Sequence, residues 1–323
     1  MTGMAAAAPR VTAIVVTWNC ADVITECLAS LRDSVIPGGV ETIVVDNGSA
    51  DGTAEIVARE FPSVALIRSP DNPGFARANN LAMASARGSA LLLLNPDVVM
   101  TDPTAIARML AVLEGDRSIG VVGCRLVNRD GTHQVGDAGF RPSPFNMVCH
   151  GLGIGHLVRG VPTLYVVRPD RFRDEATDVD WVCGACLLVR REVVDAVGGM
   201  DERLFLYAED IEWGCRIRDH GLRAAYLAQL RVVHLQGTSE AQADAHSGGT
   251  TVSTRWLGSL LGLYSRLNGG RRLGLVRTSF AVGFAFRAAV YRVLAITRPR
   301  RRTHYARKSA ALSAYARAAA RTI

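Results

Sequence analysis

Five runs of aliphatic and β-branched residues pace the first 123 positions: VTAIVVTWN (Val11–Asn19), ETIVVDNGS (Glu41–Ser49), VALIRS (Val64–Ser69), Ser89–Leu94 and Ile119–Gly123. Helical patterns separate them. Ile24, Cys27, Leu28 and Leu31 share a helix face, Thr53–Phe61 reads as a helix with Thr53 as its N-cap, NPGFARANNLAMASA as a turn and a helix, and Pro103–Glu114 as a further helix. The strands are continuously apolar rather than alternating. That pattern suits a parallel sheet buried on both faces, so the expected fold is α/β, a mostly parallel Rossmann-like sheet flanked by helices. Ligands of such sheets sit beyond the carboxyl ends of the strands. TWN, DNGS and NPD all fall there, which points three polar clusters at one site.

The second half is less regular. Residues 125–178 are rich in Gly and Pro and read as a loop-rich connection. A strand is expected over Val179–Arg190, helices over Glu192–Val197 and from the LYAED segment through His220, and two strands over Arg223–Leu227 and Arg231–Leu235. Gln236–Thr251 reads as a mobile polar loop. The expected organisation is a flexible N-terminus (1–10), an α/β domain (11–240) and a basic amphipathic helical C-terminal region (253–323).

Composition excludes several classes. With 49% hydrophobic residues the 323-residue chain can bury a large core. The net charge of +7 is uneven: 15 Lys/Arg and no Asp or Glu follow Asp244, leaving 22 basic against 30 acidic residues before it. An acidic body with a basic, partly apolar tail suits a membrane interface and anionic headgroups better than nucleic acid, for which there is no motif; the plain alternative is a helical extension packed on the domain with its arginines solvated. Phe280, Phe284 and Ala288 mark the tail's apolar face, with Arg277 and Arg287 interrupting the run. No segment reads as a spanning helix, and the first ten residues are too short and too weakly apolar for a signal peptide. Seven scattered cysteines suit a reducing cytosol. Cys183 and Cys186 form a CxxC, but lacking a second pair of matching spacing they are read as packing residues.

Each candidate group has a plain structural alternative. Asp46 can accept a hydrogen bond from a pyrimidine base or a ribose, or simply close an Asx turn. Asp97, behind Pro96, can hold a divalent cation that bridges two phosphates, or end a strand. Glu209 and Asp210 can complement a helix dipole, or supply a general base whose pKa the apolar neighbours raise. His234 gains interest only if its strand end faces Asp97.

In order, TWN, VVDNGSADGT, NPGFARANN, LLLLNPDV, VDWVCGACLLVRREVVDAVGGMDERLFLYAEDIEWGCR and VVHLQGTS closely resemble the family 2 inverting glycosyltransferases of the GT-A fold. They look most like the rhamnosyltransferase branch, which builds bacterial cell-wall and surface polysaccharides. The match covers about Val11–Ser239. The resemblance implies that Thr17, Asn19, Asp46, Arg77 and Asn95 bind the nucleotide, that Asp97 and His234 hold Mg2+ or Mn2+, and that Asp210 is the catalytic base. It implies that Trp181, Gly184, Ala185, Glu209 and Trp213 line the substrate pocket. Asn95 replaces the first acid of the usual metal motif, removing one carboxylate. The implied donor is dTDP-rhamnose or a UDP-sugar such as UDP-galactose or UDP-N-acetylglucosamine. The implied acceptor is a glycan or polyprenyl-linked sugar at the cytoplasmic face of the cell membrane. A silent nucleotide-binding scaffold is the alternative of a different class. A nucleotide-transferring enzyme would need a glycine-rich phosphate loop where TWN stands.

Overall fold

A computed structural model describes residues 9–158, 161, 163–172, 175–235 and 254–321. The expected loop Gln236–Thr251 and most of the expected N-terminal segment lie outside these residues. The chain divides into two compact units, one of Met1–Gly139, Arg168–Phe205 and Glu209–Ala243, the other of Phe140–Val167, Leu206–Ala208 and Asp244–Ile323.

The first unit carries the sheet. Its strands are β1 (Val11–Thr17), β2 (Val40–Asp46), β3 (Ala65–Arg68), β4 (Ala90–Leu94), β5 (Val98–Val99), β6 (Ile119–Val127), β7 (Ala138–Gly139), β8 (Thr177–Val179), β9 (Trp181–Val182), β10 (Cys186–Arg190) and β11 (Arg223–His234). The main sheet runs β3-β2-β1-β4-β10-β6-β11-β5, with β8 added on β11, while β7 and β9 form a separate pair. β3, β2, β1 and β4 are parallel, as are β6 and β11, whereas β10 is antiparallel to both β4 and β6. The sheet is therefore mostly parallel, as the uninterrupted apolar strands require: β1 and β4 are buried along their whole length.

Helices α1 (Ile24–Arg32), α2 (Thr53–Glu60), α3 (Phe75–Ser85) and α4 (Ala105–Gly115) follow the first strands. Ile24, Cys27, Leu28 and Leu31 form the buried face of α1, as their spacing requires. Thr53 is not a cap: left-handed Gly52 occupies that position, and the Thr53 hydroxyl instead accepts the amide of Cys20, tying α2 to the end of β1. The expected strand over 179–190 is broken into β8, β9 and β10, because β8 pairs with β11 and β9 with β7, and a turn at 183–185 separates β9 from β10, which pairs with β4 and β6. The two strands expected over 223–235 are one, β11, with a register shift between Leu227 and Arg231. β6 runs on to Val127, four residues past its expected end.

The second unit is helical. It contains α5 (Pro144–Leu152) and α6 (Ile154–Leu157), both within the stretch read as loop; beyond α7 (Arg191–Val197) and α8 (Glu209–Asp219) of the first unit, the C-terminal region adds α9 (Arg255–Leu267), α10 (Leu273–Thr297) and α11 (Arg302–Ala320). Ser143 caps α5 in a reciprocal capping box with Asn146. Val276, Ser279, Phe280, Gly283, Phe284 and Ala288 are the buried stripe of α10. Phe280, Phe284 and Ala288 are thus not a free membrane face, because they pack inside this unit. Arg287 does not interrupt that packing either; its guanidinium reaches the carbonyls of Gly283 and Gly151. A different stripe of α10 is exposed: Leu275, Val282, Phe286, Val290, Val293 and Ile296. Contrary to expectation, α10 is long and apolar enough to cross a membrane by length and composition.

Candidate active site

Parallel pairing sets Thr17 directly opposite Asp46 at the carboxyl ends of β1 and β2. The Thr17 hydroxyl donates to Asp46 Oδ1 at 3.0 Å, the Ser49 hydroxyl donates to the same oxygen at 2.6 Å, and the Ser49 amide donates to Oδ2 at 3.1 Å. The Asx turn is therefore real, and Asp46 is 4% exposed. Asn19, left-handed at φ 52°, accepts the Ala50 amide on its Oδ1 and pins the end of β1 to the DNGS turn. Asn47, which the sequence reading missed, has a buried Oδ1 with no partner among the described residues. A buried acceptor left open is costly unless something donates to it.

β4 brings in the second cluster. His234 ends β11, which pairs with Val98 and Val99 of β5. His234 Nε2 lies 3.2 Å from Asp97 Oδ1 and 3.3 Å from Asn95 Nδ2. The condition set by the sequence is met, since the His234 strand end does face Asp97. Asp97 is 4% and His234 8% exposed. On the far side of the ring, Nδ1 lies 2.9 Å from Gln134 Oε1. Gln134 carried no sequence signal, because it sits in a polar hairpin, NRDGTHQ, far from both partners in the chain.

A carboxylate oxygen and an imidazole nitrogen at this separation form a two-donor site suited to a small divalent cation that takes its remaining ligands from phosphate and water. Among the described residues no group of three His, Cys, Asp or Glu side chains is placed to hold a metal. The donor set thus fits a cation shared with a diphosphate and not a closed structural site. Burial pushes the Cys183 thiol of the CxxC well above its ordinary value.

The break in the strand at 183–185 joins this cluster to the third. Antiparallel pairing sets Cys186 opposite Leu94, so the next residues out, Asn95 and Ala185, meet: the Asn95 amide donates to the Ala185 carbonyl at 3.0 Å. One residue away, the Gly184 amide donates to Asp210 Oδ2 at 3.1 Å, while the Ile211 amide donates to Oδ1 at 2.8 Å. A three-residue turn therefore touches both the Asn95–His234–Asp97 cluster and the acid at the start of α8. Gly214, one turn into α8, lets the helix approach that close; a Cβ there would lie 2.5 Å from Cβ of Trp181.

Glu209 and Asp210 differ sharply. Glu209 is 6% exposed, and its Oε2 has no partner among the described residues. Burial, reinforced by the Asp210 charge, pushes its pKa up to about 8. Burial also raises Asp210, but the amides of Gly184 and Ile211 oppose the rise by stabilising the anion. Of the two, Glu209 is the acid that burial holds protonated, while the two amides at Asp210 favour its ionised form. Immediately before them Tyr207 and Ala208 are both left-handed, φ 71° and 69°. Two consecutive non-glycine residues in that region store strain of about 1–3 kcal/mol each.

Some expected residues stand apart. Trp181 and Trp213, expected to line the substrate pocket, are 1% and 0% exposed, and the Trp213 indole donates to the Gly198 carbonyl. They brace the turn and α8 from beneath. Arg77 is exposed and 4.0 Å from Glu202, outside the cluster.

The sequence matches the family described as Glycosyl transferase family 2 over residues 12–198. It is 28% identical over 250 residues to an N-acetylglucosaminyl-diphospho-decaprenol L-rhamnosyltransferase of Mycobacterium tuberculosis, covering 67% of this chain and 79% of that one. It is 27% identical over 168 residues to Rhamnosyltransferase WbbL of Escherichia coli K12, covering 50% of this chain and 60% of that one. Among solved structures, the mannosyltransferase PcManGT from Pyrobaculum calidifontis, in complex with GDP-Man and Mn2+, superposes with a TM-score of 0.55 at 21% identity, covering 97% of this chain and 86% of that one. That last likeness shows the fold, GT-A.

The Glu209 proton has a consequence for stability. Its folded pKa of about 8 lies above the ordinary 4.5, so between those values the native state holds a proton the unfolded chain has lost. This group's contribution therefore worsens as pH rises through that window. Glu209→Gln removes the effect. Urea unfolding should show the variant gaining on wild type by roughly 2–4 kcal/mol between pH 5 and pH 9; a stability difference that stays constant with pH contradicts the assignment.

Proposed function

The chain belongs to glycosyl transferase family 2, and from that premise we propose that it transfers L-rhamnose from dTDP-rhamnose, with inversion, to a polyprenyl-linked or polysaccharide acceptor. The observation that carries this reading is the 183–185 turn, which ties Asp210 to the Asn95–His234–Asp97 cluster at adjacent residues. An inverting transfer needs those two chemistries side by side. One end accepts a proton from the attacking hydroxyl, and the other receives the diphosphate that leaves from the opposite face of the anomeric carbon.

Asp210 is the base. Burial raises its pKa, which makes its carboxylate a better proton acceptor than that of an exposed aspartate. The Gly184 and Ile211 amides fix its direction, and Glu209 beside it stays protonated and adds no second charge. Asp97 and His234 hold Mg2+ or Mn2+, which when bound supplies positive charge beside the departing diphosphate. Asp46, Thr17, Asn19, Asn47 and Asn95 take the nucleotide at the strand ends. No side chain of this chain needs to become a covalent carrier. The rhamnosyltransferase relatives support the sugar, and the decaprenol named for the mycobacterial relative supports a polyprenyl acceptor.

One face of the second unit supports a membrane-borne acceptor. The exposed stripe of α10, from Leu275 to Ile296, is bordered by exposed Arg298, Arg300, Arg301 and Arg302. Apolar side chains beside arginines match the boundary between acyl chains and anionic headgroups at the inner face of a membrane.

Asp210→Asn should lower rhamnosyl transfer by about 10²–10⁴-fold, the usual worth of a general base, while calorimetry finds dTDP binding within about threefold of wild type. Full activity in the variant removes Asp210 from its role. In the same assay, preferred turnover of UDP-galactose or UDP-N-acetylglucosamine overturns the donor, and nucleotide binding without any transfer supports a scaffold. For the second unit, Phe286→Glu with Ile296→Glu should abolish flotation with vesicles containing anionic lipid. Flotation equal to wild type contradicts the proposed face.

A further inference from the structure

We infer that Gln134 is a positioning residue that fixes the ring tautomer of His234 and thereby aims a bare nitrogen at Asp97. The inference rests on the cation site proposed above, but the hydrogen bonds behind it are independent of any ion.

A glutamine side chain has a donor end and an acceptor end, and the neighbours decide which end points where. One terminal atom of Gln134 lies 2.6 Å from the backbone carbonyl of His234 and 2.7 Å from Asn128 Oδ1. A carbonyl only accepts, so this atom is Nε2. The other end, Oε1, must then face the ring, 2.9 Å from Nδ1. An amide oxygen also only accepts, so Nδ1 carries the hydrogen. In the neutral imidazole the lone pair then falls on Nε2, the atom facing Asp97 and Asn95.

The polarity extends further out. Asn128 can offer its oxygen to Gln134 because its own amide nitrogen donates to Thr132 Oγ1 at 2.8 Å. The Thr132 hydroxyl can accept because its proton goes to the Asp130 carboxylate at 2.5 Å. His234, Gln134, Asn128 and Thr132 therefore form one directed chain in which each donates to the next, starting on the ring and ending on the Asp130 carboxylate. Gly131, left-handed at φ 78°, makes the tight turn that brings the first three together. The hairpin is anchored at both ends of Gln134. The Gln134 amide donates to the Leu126 carbonyl, and Asp137, three residues on, accepts from the Leu126 amide and the Tyr226 hydroxyl. Gln134 is buried, 6% exposed, so protein groups and not bulk solvent set its orientation.

A ring held from behind by an acceptor is the arrangement that keeps a histidine ready to bind a metal, and such supports are worth 10–100-fold in affinity. Two variants separate position from mere packing. Gln134→Leu keeps the shape and removes the acceptor; Gln134→Glu, as the neutral acid that the His234 carbonyl and Asn128 Oδ1 require at its second oxygen, keeps both a donor there and an acceptor facing Nδ1. The first readout needs no metal. Long-range 1H–15N spectra of the histidine rings of the full chain, with His234 identified by its loss in His234→Gln, should show the Nδ1–H tautomer in wild type and in Gln134→Glu. Gln134→Leu should show a mixture of tautomers. The second readout is Mn2+ binding followed by electron paramagnetic resonance, where Gln134→Leu should bind 10–100-fold more weakly and Gln134→Glu no more weakly than wild type. An Nε2–H tautomer in wild type, or a Gln134→Leu protein that keeps both the Nδ1–H tautomer and wild-type Mn2+ affinity, overturns the inference. Wild-type protein that shows the expected tautomer yet binds no Mn2+ overturns the cation site instead, and leaves the positioning of the ring by Gln134 established.

Discussion

The turn at Cys183–Ala185 is the constraint on which the site depends. β10 enters the sheet antiparallel between two strands that run the other way, so its first residue, Cys186, meets the last residue of β4, Leu94. The chain just before Cys186 must therefore lie against the chain just after Leu94. Backbone groups left without strand partners there have to bond elsewhere, and they bond to Asn95 on one side and to Asp210 on the other. Groups far apart in the sequence are thus set beside one another by sheet register, not by local sequence.

This explains how much could be read from the chain. Strand β1, with every residue buried, and the face of α1 follow directly from apolar periodicity, and the polar strand ends follow from the topology of parallel sheets. The pairing of His234 with Asp97 was legible only as a condition, because it requires knowing that β5 joins the sheet beside β11. Gln134 was not legible at all. A glutamine in a turn-rich hairpin looks solvated until the hairpin is seen to fold against His234. The CxxC misled in a milder way: its apolar neighbours read as continuous strand, whereas its two middle residues form the turn that matters most. Trp181 and Trp213 show the same limit in reverse, since motif position gave them to the substrate and packing gives them to the core.

In the helical unit, composition was informative and periodicity decided the details. The arginine excess identified the region, but Phe280, Phe284 and Ala288 turned out to be its core, joined by an aromatic cluster of Trp256, Phe284 and Tyr315. A helix apolar on nearly all sides offers two candidate faces, and a sequence does not say which one its neighbours cover. The close approach of Gly283 to Gly151, where a Cβ would fall 2.0 Å from a carbonyl oxygen, settles it for α10.

The account stands on one claim, that the Asp97–His234 pair and Asp210 serve a single reaction centre. Crystals grown with dTDP and Mn2+, with data collected at the manganese absorption edge, test it most directly. The expected map has an anomalous peak bonded to Asp97 and to Nε2 of His234, the terminal phosphate on that peak, and the Asp210 carboxylate facing that phosphate across the space the sugar occupies. A peak elsewhere, or a nucleotide walled off from Asp210, contradicts it.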